Sequence, residues 1–153
     1  LESTVVDLSV RPVRLLRPGL VSLQRLQDFF GEVSLGYELK HDAVAESPGQ
    51  KYRHYAPSAP LFLHSSEVIL EMKFQPGDVC LVSHETAAQW DHLPVSVILL
   101  GHRTKPEEIA SELFMALRRA DDLLAKRIFC ETFPEDGVGL AIMNRLRRAA
   151  NLS

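Results

Sequence analysis

The sequence predicts an α/β protein whose larger part is built on a parallel sheet. Three observations carry that prediction. From residue 60 onward, short runs that are apolar throughout alternate with stretches of helical periodicity, as strands buried on both faces and their crossover helices do. Residues 1–31 hold two β-branched or apolar runs and one amphipathic stretch, a strand–strand–helix fragment. Between them, residues 32–58 show little periodicity of either kind, and a connection of that length is usually functional or disordered. The expected organisation is an N-terminal piece over 1–31, a linker over 32–58 and a domain over 59–153.

Taken in order, residues 3–8 (Ser-Thr-Val-Val-Asp-Leu) and 13–16 (Val-Arg-Leu-Leu) read as adjacent strands joined by a turn, and Arg17-Pro18-Gly19 ends the second. Ser22 is placed to cap a helix over 23–30, with Leu23, Leu26 and Phe29 or Phe30 as its stripe and Gly31 at its left-handed end. Such a fragment cannot bury its apolar face alone, so missing chain, a partner or the rest of the molecule must cover it. Leu61-Phe62-Leu63 starts the next series as a short strand. A helix from Ser65 or Ser66 to about Phe74, a strand over 78–82, a short helix or turn over 85–90 and an apolar strand over 95–100 follow. Pro106, Glu107 and Glu108 open a long helix whose apolar face is Ile109, Leu113, Leu117 and Ala120 with Phe114, Leu123 and Leu124. Residues 127–131 form a strand and 140–150 the last helix. The alternation makes 59–153 a small Rossmann-like domain, in which ligands sit at the carboxyl ends of strands.

Composition narrows the function. The 153 residues are 46% hydrophobic and 24% charged, enough for one well-buried core or one core with an appendage. A net charge of −3 gives no support for gripping tRNA or DNA by bulk charge. No apolar run is long enough for a membrane span. Leu1-Glu2-Ser3-Thr4 is not a signal peptide and lacks an initiator Met, as expected of a chain that begins inside a longer protein or after processing. Cys80 and Cys130 lie in apolar runs and read as buried free thiols of a reducing, cytoplasmic compartment. The six His are scattered, with no HExxH or paired Cys/His spacing, so no protein-bound metal is expected.

The densest chemistry lies in Ser47-Pro48-Gly49-Gln50-Lys51-Tyr52-Arg53-His54-Tyr55-Ala56-Pro57. Its prolines and glycine keep the backbone extended or turned, and a plain interdomain spacer shares that composition. A spacer, however, has no need of two Tyr, a His and two cations within five residues. Gly137-Val138-Gly139 precedes the last helix, where free N–H groups together with Asn144 and Arg145 could hold a phosphate or carboxylate; tight-turn packing accounts for the same glycines. Arg147 and Arg148 follow and suit a solvated face near a helix C-terminus. Ser3 and Thr4 at a strand start could hold a small polar ligand or face solvent. Arg17 is a cation at a strand end, as surface arginines also are. No nucleophile set assembles, so no catalytic residue is assigned.

Three segments carry a resemblance in order. Glu2-Ser3-Thr4-Val5-Val6-Asp7 with Leu16-Arg17-Pro18-Gly19 resembles the end of a YrdC domain. The 47–57 stretch resembles the linker of Sua5-type threonylcarbamoyl-AMP synthases, and Gly137-Val138-Gly139-Leu140-Ala141-Ile142-Met143-Asn144-Arg145-Leu146 resembles the closing helix of their Sua5 domain. On that resemblance, residues 1–31 are the strand–strand–helix remnant of a YrdC-type α/β domain and 59–153 the Sua5 domain.

The resemblance implies a nucleotidyltransferase. It would join L-threonine, bicarbonate and ATP, with Mg2+ accompanying the nucleotide, into L-threonylcarbamoyladenylate, which downstream transfer proteins use for the t6A modification of tRNA. It further implies that Ser3 contacts threonine, that Arg17 contacts ATP, and that Lys51, Tyr52, Arg53, His54 and Tyr55 close over the pocket. The family's earlier Lys/Arg motif and Ser-Ala-Asn segment, which build most of that pocket, are absent from these residues. The chain alone is therefore expected to be inactive without the N-terminal YrdC part. The exposed remnant sheet favours self-association. A non-catalytic, small-anion-binding or regulatory module is the alternative reading.

Overall fold

The computed structural model describes residues 3–36 and 56–150. Its elements run β1 (Val5–Asp7), β2 (Val13–Arg17), α1 (Leu23–Phe30), β3 (Val33–Leu35), β4 (Leu61–His64) and α2 (Ser66–Glu71). They continue through β5 (Asp78–Val82), α3 (His84–Ala87), β6 (Ser96–Leu99), α4 (Pro106–Asp122), β7 (Arg127–Glu131) and α5 (Gly139–Ala149). Contacts divide these residues into two compact units, 3–36 with 134–150, and 56–133.

In the first unit β2 is central. It pairs antiparallel with β1 and parallel with β3. Helix α1 forms as its sequence dictates: the Ser22 hydroxyl accepts from the Arg25 N–H, and Gly31, at φ 78°, donates its N–H to the Gln27 carbonyl. Leu15, Leu26 and Val33 make a small core onto which Val6, Leu23 and Leu140 pack. The sequence reading placed α5 in the C-terminal domain, whereas residues 134–150 cluster with the N-terminal piece, and Leu140 shows why. β3 lies inside the stretch read as an unstructured linker. It is only three residues long, and it is made by pairing: Val33 sits opposite Val13, and the Gly36 N–H donates to the Leu15 carbonyl.

The second unit is the expected α/β domain. Its four strands are all parallel, in the order β4-β7-β5-β6. β5 is buried along its whole length, as a two-face-covered strand should be. Cys80, Val82 and Phe129 on one face pack with Ile69 of α2, joined by Met72, Phe74, Ala87, Trp90, Val95 and Val97. Val79, Leu81, Ile98, Ile128 and Cys130 on the other face are equally buried. Register sets Cys130 beside Leu81, so the two thiols point to opposite faces and remain free. Burial pushes both thiol pKa values up, Cys80 to about 12.

Two helices depart from the sequence reading. α2 stops at Glu71 rather than near Phe74, because Met72 turns extended and sends Met72 and Phe74 into the core. α4 does bury Ile109, Leu113, Leu117 and Ala120, but Phe114, Leu123 and Leu124 are exposed. Phe114 sits one position beyond the stripe and carries the Arg118 guanidinium over its ring, while Leu124 lies past the helix at φ 54°. No helix among the described residues is long and apolar enough to cross a membrane.

At the amino end of the sheet, Arg127 of β7 grips the buried Asp78 of β5 with two nitrogens at 2.8 and 2.7 Å. That bidentate contact, aided by the Gln75 N–H and opposed by burial, holds the Asp78 carboxyl below its ordinary pKa. Its stabilisation is therefore complete above the unfolded carboxylate pKa of about 3.9 and is lost as pH falls through the lower folded value. Asp78→Ala leaves a half-exposed arginine unpaired and is expected to cost about 1–3 kcal/mol at pH 7. Urea unfolding at pH 7 and pH 3 checks this: the gap between variant and parent should narrow at pH 3, and an unchanged gap would refute the assignment.

Candidate functional site

The sequence-predicted residues of the first unit meet at the start of β1 and the end of β2. Antiparallel pairing sets Val5 opposite Arg17, so Ser3 extends past the strand end where the Arg17 side chain lies. Arg17 Nε donates to the Ser3 carbonyl at 3.0 Å, and a terminal guanidinium nitrogen reaches the Ser3 hydroxyl at 3.4 Å. Thr4 fixes the neighbouring turn by accepting from the Val21 N–H at 3.1 Å and donating to the Val21 carbonyl at 3.3 Å. Pro18 and Gly19 are buried beneath this corner, while Ser3 is exposed and Arg17 half-buried.

Helix α5 adds two more cations. Arg145 and Arg148 lie one turn apart on the same face. Burial lowers the Arg145 pKa to about 10, helped by the positive charge of Arg148. Burial also lowers Arg148, helped by the charge of Arg17. Arg148 thus lies near enough to Arg145 and to Arg17 for their charges to act on one another in a partly dry setting. Asn144 lies beside them, buried, and its Oδ1 has no hydrogen-bond partner among the described residues.

The glycines act differently from a phosphate cradle. Gly137 takes φ 51°, and the Gly139 N–H donates to the Asp136 carbonyl at 2.8 Å. The Ala141 N–H is likewise engaged, by Val138. They shape the turn into α5, which Arg147 secures through a two-pronged ion pair with Glu135. Lys51, Tyr52, Arg53, His54 and Tyr55 lie outside the described residues. Among the described residues no group of three His, Cys, Asp or Glu could hold a metal.

Residue-type reasoning passed over two further groups. Arg148 read as a solvated helix face, although its spacing of three from Arg145 was a usable signal. Glu131 read as the tail of an apolar strand, yet it is fully buried and bonded to Ser83 and Arg103. An acid closing an apolar run at a strand's carboxyl end was the cue.

Fold and site together define a two-unit α/β protein, with an open parallel sheet in one unit and arginines gathered at a strand end in the other. Residues 21–151 match the family model described as threonylcarbamoyl-AMP synthase, C-terminal domain, and the chain belongs to that family. The threonylcarbamoyl-AMP synthase of Pyrococcus abyssi is 37% identical over 161 residues, 97% of this chain and 45% of that protein. The Bacillus subtilis protein of the same name is 37% identical over 157 residues, again 97% and 45%. The crystal structure of P. abyssi Sua5 complexed with L-threonine has a TM-score of 0.83 at 34% identity, covering 99% of this chain and 46% of that one. The chain thus spans under half the length of the curated relatives it matches.

A Cβ on Gly139 would collide with the Pro134 carbonyl oxygen, whereas one on Gly137 meets open space at a left-handed φ. Gly139→Ala is therefore expected to cost about 1–3 kcal/mol by opening the 134–139 turn, against about 1 kcal/mol for Gly137→Ala. Denaturant unfolding of both variants checks the order, and a Gly139→Ala protein as stable as the parent would refute the close approach.

Proposed function

We propose that this chain is the C-terminal part of an enzyme that makes L-threonylcarbamoyladenylate from L-threonine, bicarbonate and ATP, with release of pyrophosphate, for the t6A modification of tRNA. The observation that carries the reading is the Arg17–Ser3 contact, in a chain of this family, at 3.0 Å to the carbonyl and 3.4 Å to the hydroxyl. In this reading Ser3 receives threonine and Arg17 the nucleotide. The half-buried Arg145 and Arg148 supply positive charge for an anionic group of the same pocket. The P. abyssi relative crystallised with L-threonine supports threonine as one ligand. ATP would arrive with Mg2+ on its phosphates.

The chemistry needs little from this segment beyond placement. Bicarbonate and threonine must combine as a carbamate with loss of water, and a carbamate oxygen then attacks the α-phosphorus of ATP as pyrophosphate leaves. A carbamate and a mixed anhydride both hydrolyse in water, so a cover helps. In the proposal the 51–55 segment provides that cover, with Tyr and His faces over the nucleotide and cations on its phosphates. The remainder of the pocket belongs to an N-terminal part, for which exposed Leu20, Val21 and Phe29 offer apolar surface. The product then passes to transfer proteins acting on tRNA in the cytoplasm.

A non-catalytic anion-binding role is favoured by one observation, the spacing of Arg145 and Arg148 one turn apart on α5. The experiment separates the two. The chain alone is expected to release no pyrophosphate from ATP with threonine and bicarbonate, and supplying the N-terminal part of a relative should restore adenylate formation. In the restored enzyme Arg17→Lys, which keeps charge but loses the fork, should lower the rate by about tenfold or more. His54→Ala and Tyr52→Phe should weaken it without unfolding the chain. Turnover by the isolated chain, or unchanged rates in Arg17→Lys, would overturn the reading.

A further inference from the structure

The second unit carries a polar cluster that the proposed synthesis does not use. It sits at the carboxyl ends of all four parallel strands, where open α/β sheets bind ligands. Its centre is Glu131, the last residue of β7, with no solvent exposure. Its carboxylate accepts from the Ser83 N–H at 2.8 Å and the Ser83 hydroxyl at 2.9 Å, just beyond β5. Arg103, in the loop after β6, meets it through Nε at 3.0 Å. A terminal nitrogen of the same guanidinium donates to the hydroxyl of Ser66, just beyond β4, at 3.2 Å.

The loop holding Arg103 is itself fixed. Gly101 turns at φ 125°, a position where a Cβ would crowd Glu108. The Glu85 carboxylate accepts from the Arg103 N–H at 3.0 Å and pairs with His102 Nδ1 at 3.2 Å. The His102 ring stacks on His84, with centroids 4.4 Å apart and planes 16° from parallel.

A tie between strands does not require this arrangement. Ser83 and Glu131 already join β5 to β7, and a buried ion pair stabilises no better than apolar residues of the same volume. What the pair adds is aim. Two of the three guanidinium nitrogens are held by protein, the third has no partner among the described residues, and the side chain is about one-third exposed. An arginine locked in this way loses little entropy when an oxyanion docks on its free edge.

We propose that the carboxyl edge of the 56–133 sheet is a binding site for a small oxyanion, a phosphate or a carboxylate, seated on Arg103 beside the stacked His84 and His102. The surrounding acids restrict its size. Glu85 and Glu108 are engaged by His102, Arg103 and Lys105, and Glu67 is bonded to Ser66, so a compact anion fits and a polyanion is repelled. The site depends on residues 64–131 alone and is independent of the adenylate reading.

The test follows the Arg103 Nε–H signal and the backbone amides of 83–85 and 101–105 by NMR in the whole chain. Inorganic phosphate is added in one arm and acetate in the other, each at ionic strength matched with sodium chloride. The expected result is a saturating shift of these signals in at least one arm, and the arm that saturates identifies the anion. Arg103→Lys, which keeps Glu131 paired but loses the fork, should weaken that binding by about tenfold. Shifts that merely track chloride, saturation confined to residues 144–148, or undiminished binding in Arg103→Lys would each overturn the proposal. The Arg103 signal in the unsubstituted chain decides the matter even if the variant does not fold.

Discussion

A buried carboxylate is the constraint on which the C-terminal sheet depends. Glu131 is fully removed from water, and an ion in that position is tolerated only when its oxygens are occupied. Ser83 and Arg103 occupy them, and those partners come from the ends of β5 and the loop after β6. Through Arg103 the contact extends to Ser66 after β4. One side chain therefore coordinates the carboxyl ends of four strands. The amino ends are joined by the Asp78–Arg127 fork, so the sheet is clamped by charge at both edges around an apolar middle. The two clamps differ in consequence. Asp78 and Arg127 complete one another, whereas Glu131 leaves an edge of Arg103 directed outward.

Much of this architecture was legible because local signals agreed with the global fold. Ser22, the Leu23–Leu26 spacing and Gly31 all point to the same helix, and α1 has those bounds. Continuous apolar runs announced β5 and β7, whose register then decided the fate of the thiols. The failures are equally physical. β3 is three residues long and exists only because β2 offers an edge, so no periodicity could reveal it. α2 ends early because Met72 and Phe74 gain more from the core than from another helical turn. Phe114 and Leu123 looked like stripe residues because composition alone does not resolve one position of helical phase.

The site was legible in part for the same reason. Ser3 and Arg17 are fourteen positions apart but lie on neighbouring strands of a hairpin, so a strand–turn–strand reading already brings them near one another. The partnership of Ser83 with Glu131 spans 48 positions and arises only when parallel crossovers return β7 beside β5. No spacing rule reaches across such a connection. Arg103 was hidden further, being a loop cation with ordinary neighbours in sequence, whose meaning comes from the carboxylate it meets.

The two units use arginine in opposite ways. In the first, burial lowers the pKa of Arg145 and of Arg148 on α5, helped by the nearby positive charge of Arg148 and of Arg17 respectively. In the second, Arg103 stands among carboxylates already matched by donors. The electrostatic surroundings, more than the residue type, set the two arginine environments apart.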